Sequence, residues 1–161
     1  MENKEKIKKS VVVGIAAILV VAFAGTFVAA ISNGWFNDKK VSLESEYYGE
    51  SRLIELNTPT YEELIASKKS FLVLTYLPGC TASLLSYADQ FADEHQVAFY
   101  YYNFTELRES SLHDSVKYTP SVAVISEGHV VDFLKADSNE DAIYYNNYAD
   151  FKTWLESLIE F

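Results

Sequence analysis

The run Phe71-Leu72-Val73-Leu74-Thr75-Tyr76-Leu77 constrains the fold more than any other stretch of the domain. Six of its seven side chains are large and apolar or aromatic, and they do not alternate with polar ones. Neither face of such a segment can look at water, so it predicts a central strand of a sheet covered on both sides. Pro78-Gly79 breaks it.

The surrounding segments supply the rest of that sheet. Arg52 to Leu56 reads as a first strand, ended by Asn57-Thr58-Pro59. Thr60, with Glu63 three residues on, reads as a capping box opening a helix from Tyr61 to about Ser67. Leu84, Leu85, Ala88, Phe91 and Ala92 recur at helical spacing and predict an amphipathic helix from Thr81 to about His95. Val97 to Tyr102 is another strand, and a second short helix is expected from Thr105 to about Val116. Ser121–Ser126 and Val130–Leu134 flank Glu127-Gly128-His129, a hairpin signal with three residues in the turn. Residues 137–147 read as a surface loop or short extra turn, and Tyr148, Phe151, Trp154, Leu155, Leu158 and Ile159 as a last amphipathic helix. Helices alternating with strands before a closing hairpin imply an α/β fold, a mixed sheet with helices on both faces.

Ahead of this domain, Val11 to Ile31 contains no charge and only Thr26 as a polar side chain. As a helix those residues would rise about 30 Å, the thickness of a bilayer's hydrocarbon core. They predict one N-terminal transmembrane helix. Lys4, Lys6, Lys8 and Lys9 place residues 1–10 in the cytoplasm as a basic tail. Residues 32–51 then form an extracytoplasmic polar stalk of marginal order, and residues 52–161 an extracellular domain of a single-pass cell-membrane protein. A cleaved secretory signal is the competing reading, with Phe27-Val28-Ala29-Ala30 as its weak cleavage site.

Charge narrows the partners. Residues 1–40 carry six lysines against three acids, net +3, and the remainder seven basic against twenty acidic residues, net −13. A domain so negative repels the phosphate backbone, so no nucleic-acid partner is expected. No metal site is expected either, because His95, His113, His129 and the one cysteine, Cys80, share no ligand spacing. No Gly-rich phosphate loop is present and no cofactor is implied.

Cys80 follows the Pro78-Gly79 break and opens the amphipathic helix. The free N–H groups and positive dipole end of a first helical turn favour a thiolate, and Ser83 could offer its hydroxyl to the sulfur. The plainer reading is a small hydrophobe filling a strand–helix junction. With one cysteine in the chain, no internal disulfide can form.

The element order, Phe71–Cys80 feeding a helix, and Thr119-Pro120 ahead of a strand resemble the thioredoxin fold across residues 52–161. The resemblance implies that Cys80 stands for the first cysteine of a Cys-x-x-Cys motif, Ser83 for the resolving cysteine and Pro120 for a cis-proline. Gly79, Thr81 and Thr119 would then line a substrate groove. A second register, with Cys80 at the resolving position and Leu77 at the nucleophile's place, stays open. The membrane-held character and the Tyr100–Asn103 strand end are similar to thioredoxin-like accessory proteins of Gram-positive bacteria, some associated with bacteriocin transport. Leu74 occupies the place where many thioredoxins bury an acid, and Gly79 the place of a frequent aromatic residue.

Two functions follow. The first is a membrane-tethered monothiol exchange or isomerisation factor, in which Cys80 attacks a substrate disulfide and an external thiol or thiol-oxidoreductase releases it. The second is a non-catalytic domain that docks an exported or membrane protein or peptide along the groove.

Overall fold

The computed structural model describes residues 40–79 and 82–161. Five strands form one sheet: β1 (Arg52–Leu56), β2 (Phe71–Tyr76), β3 (Ala98–Asn103), β4 (Ser121–Ser126) and β5 (His129–Phe133), in the order β1-β3-β2-β4-β5. β1, β3 and β2 run parallel, while β4 and β5 are antiparallel additions. The helices are α1 (Thr58–Ala66), α2 (Ala82–His95), α3 (Phe104–Leu107), α4 (Ala142–Asn146) and α5 (Tyr148–Leu158).

β2 is central, and Phe71 to Thr75 are fully buried, as a strand with two covered faces must be. Registers Val73↔Tyr100 and Thr75↔Tyr102 put Phe71, Val73, Thr75, Tyr100 and Tyr102 on one side. There Tyr61 of α1 stacks on Tyr102 with ring centroids 5.7 Å apart, and Tyr47 meets Tyr100 edge-on at 5.6 Å. On the other side Phe91 of α2 meets Phe99 of β3 and Phe151 of α5, both edge-on. Such pairs add to the free energy of burial by matching ring edges to ring faces.

Several local expectations are corrected. The cap of α1 is Asn57, whose side chain accepts from the Thr60 N–H at 3.0 Å, with Pro59 inside the first turn. Proline is tolerated there because early helical N–H groups have no carbonyl partner in any case. The hairpin turn has two residues, Glu127 and Gly128, with φ of 49° and 77°, the left-handed pair that matches strand twist. A β-bulge between Val124 and Ile125 absorbs the shift in register. The helix expected over 105–116 is split into α3 and a single 3₁₀ turn, Ser111–Asp114.

Residues 40–51 do not behave as a stalk of marginal order. Val41, Leu43 and Tyr47 are buried. The Val41 N–H donates to Leu158 and the Glu160 N–H returns to Val41, at 2.7 and 2.9 Å. Tyr48 pairs with Val97 and sends its hydroxyl to the Glu160 carbonyl.

The transmembrane half of the expected fold class is also corrected. Among the described residues no helix is long and apolar enough to cross a membrane. α2 has 14 residues, which at 1.5 Å per residue reach about 21 Å, short of a core about 30 Å thick. The run 11–31 and the tail 1–10 lie outside the described residues. Membrane anchoring, the signal-anchor assignment and a single-pass cell-membrane location are therefore withdrawn.

Candidate functional site

The carboxyl end of β2 and the start of β4 lie side by side, since Thr75 pairs with Ser121. This register brings Thr119-Pro120, immediately before β4, to the end of the central strand. The Thr119–Pro120 peptide bond is cis. Thr75, fully buried, holds the approach from below: its hydroxyl donates to the Ser121 carbonyl at 3.3 Å and lies 3.3 Å from the Thr119 hydroxyl. A hydroxyl in a core costs free energy unless it is hydrogen-bonded, and here both partners belong to the Pro120 segment.

From the other side, the Tyr145 hydroxyl of α4 donates to the Pro120 carbonyl at 2.9 Å. Burial first, then the carboxylates of Asp141 and Asp137, raise this phenol far above its ordinary range. It therefore stays protonated and remains a donor. Thr119 and Pro120 are half-buried, and Tyr118 beside them is 57% exposed. Among the described residues, no hydrogen bond occupies the main-chain N–H or carbonyl of Thr119.

Of the residues expected at the site, Gly79 is exposed with φ 89°, a left-handed conformation natural to glycine, and Ser83 is exposed in the first turn of α2. Cys80 and Thr81 lie outside the described residues. Leu74 is fully buried between Val122 and Tyr101, its register partners on either side.

Two residues escaped the sequence reading. Thr75 was hidden in an apolar run, where a single threonine reads as an ordinary β-branched strand residue. Tyr145 lies in a segment with no helical periodicity, and only the tertiary structure carries it 25 positions back along the chain to Pro120.

Next to Tyr145 is a cleft of about 370 Å³ between residues 136–139 and α4, with Asp137, Ser138 and Asn146 among its walls. On the far side of the sheet end, Tyr76 and Tyr101 lie 5.4 Å apart between ring centroids. Burial chiefly, then Glu55, Tyr101 and Glu106, raise the Tyr76 hydroxyl.

No protein-family model matches the chain, and no curated protein matches it in sequence. Solved structures do. A mutant thioredoxin from Halobacterium salinarum superposes with a TM-score of 0.51 at 17% identity, covering 70% of this chain and 96% of its own. Mitochondrial thioredoxin 3 from Saccharomyces cerevisiae gives 0.50 at 12% identity, covering 66% and 95%. These findings bear on the fold and lend nothing to the narrower likeness to membrane-held bacteriocin transport accessory proteins, which is withdrawn together with the anchor. The protein has a thioredoxin-like fold.

Proposed function

We propose that this protein is a non-catalytic thioredoxin-like docking domain that holds an extended segment of a partner protein against Thr119-Pro120. The observation that carries this reading is the presence of one cysteine in the whole chain. A dithiol cycle needs a second thiol to release the mixed disulfide, and the sequence has none. Leu74 points the same way, since an apolar side chain in that place cannot relay a proton. The membrane-tethered exchange function is not retained.

Docking needs less than catalysis. An extended peptide can pair with the main-chain groups of Thr119, which no described residue occupies, while exposed Tyr118 offers an aromatic contact of the kind that dominates binding surfaces. Two measurements on the full chain test this. In a dithiothreitol-supported insulin reduction assay, the protein and its Cys80→Ser variant should leave the rate at that of dithiothreitol alone. Nine-residue peptides selected from a displayed library should bind both forms equally and bind Tyr118→Ala about tenfold more weakly. Disulfide turnover that disappears in Cys80→Ser would overturn the reading.

A further inference from the structure

The cleft beside Tyr145 gives the docked segment a chemistry. We propose that it receives a cationic side chain, Arg or Lys, of the segment held against Thr119-Pro120, so that the partner is a peptide with a basic residue next to its paired stretch. This rests on the docking reading.

The position of the cleft is the first argument. The Tyr145 hydroxyl touches the Pro120 carbonyl while the residue also lines the cleft. A strand laid against Thr119 therefore passes its mouth, and one side chain in two points to the same side of an extended chain.

The walls are the second. Tyr145 contributes an aromatic body, Asp137 a carboxylate, and Ser138 and Asn146 polar side chains. A ring beside a carboxylate suits a guanidinium or ammonium group, and a long aliphatic stem can lie along the ring. An acidic side chain would meet the like charge of Asp137 there.

Charge balance is the third. The loop leading to α4 carries Lys135 against Asp137, Glu140 and Asp141. Asp141 accepts the Lys135 main-chain N–H at 2.6 Å, which orients its carboxylate without neutralising it. Among the described residues neither Asp137 nor Asp141 has an ion-pair partner. Three basic side chains are engaged elsewhere: Lys69 with Glu44 and Glu46, Lys152 with Glu94 and Glu156, and Arg108 over the Phe104 ring. A cation brought by the partner would meet the exposed Asp137 carboxylate.

A chain with net charge −10 attracts any cation weakly, so the test must separate the cleft from the general field. Nine-residue peptides are selected by display on the full-length protein, on Asp137→Asn and on Glu127→Gln. The two variants change charge equally, but Glu127 lies in the hairpin turn at the opposite end of β4. The expected result is enrichment of Arg or Lys at one position on the wild type and on Glu127→Gln, lost on Asp137→Asn. A selected peptide should bind Asp137→Asn about fivefold more weakly, and its citrulline analogue should lose as much on the wild type. Binders without cationic enrichment would overturn this proposal and leave the docking reading standing. Equal losses in both variants would overturn it too, by showing only bulk attraction. Failure to select any binder would remove both.

Discussion

The two ends of the sheet are built differently. At the end where β2 begins, chain segments tie one another down. Glu44 donates its N–H to Ser70 and Gly128 to Lys69, while the Ser70 hydroxyl accepts from Glu127. Residues 41–48 fasten onto Val97, Leu158 and Glu160. At the end where β2 finishes, Pro78, Gly79 and Tyr118 are exposed, and Thr119-Pro120 is held by side-chain hydroxyls, Thr75 and Tyr145. Main-chain groups consumed within the fold cannot bind anything else. The difference assigns stability to one end of the sheet and leaves the other as the end at which we propose recognition.

One strand spans both ends, so it offers the sharpest way to break this comparison. Phe71→Ala, which removes a ring buried among Tyr61 and Tyr100, should cost about 3–5 kcal/mol in urea unfolding. Tyr76→Ala, at the half-buried other end, should cost no more than about half of that. Equal costs would mean that the open end is as structural as the sealed one.

Gly128→Ala should come next. Gly128 has φ 77°, and an added Cβ would come within 2.5 Å of the Ile65 carbonyl oxygen, a backbone atom that cannot swing away. We expect a loss of about 1–3 kcal/mol, read from the same denaturant curves, with peptide binding at the far end unchanged once folded. Tyr145→Phe inverts that pattern. Losing one hydroxyl-to-carbonyl bond should lower stability by about 1 kcal/mol, while affinity for displayed peptides falls because the Pro120 segment loses its clamp. Peptide binding indifferent to this change would contradict the assignment of recognition to the open end.

The smallest effect belongs to the surface of the sealed half. The Lys152 ammonium, then Gln90 and Tyr148, hold the Glu94 carboxyl down at about 2. Its folded value lies below the unfolded one. The stability it contributes is therefore complete above the ordinary carboxylate range and is lost as pH falls through about 2. The Tm difference between the protein and Glu94→Gln should shrink from pH 5 to pH 2. A constant difference over that window would show that the pair contributes nothing measurable, as many exposed pairs do.

Legibility in the sequence followed the strength of local periodicity. β1 and β4 could be bounded to the residue, and β2 announced itself by an apolar run that only a doubly covered strand accommodates. The cap of α1 was misplaced because Asn57 and Thr60 both carry a suitable oxygen, and Pro59 disguised the true first turn. Residues 40–51 looked unstructured because Val41, Leu43 and Tyr47 are buried by separate neighbours rather than by one periodic face. Near the end of β2, the cis Thr119-Pro120 pair could be named from a motif. Thr75 and Tyr145 could not, since neither belongs to a pattern that residue type and spacing reveal.

The amino-acid sequence by itself determined the alternation of strands and helices, the central place of β2, the acidic balance and the single cysteine. Each follows from side-chain type and spacing along the chain. Only the tertiary structure decided that one sheet end closes on residues 40–51 and the other stays open around Thr119. It alone brought the Tyr145 hydroxyl to the Pro120 carbonyl and set Asp137 with Tyr145 on the wall of one cleft. Those contacts join segments far apart in sequence, and their partners are fixed by how elements stack rather than by any local preference.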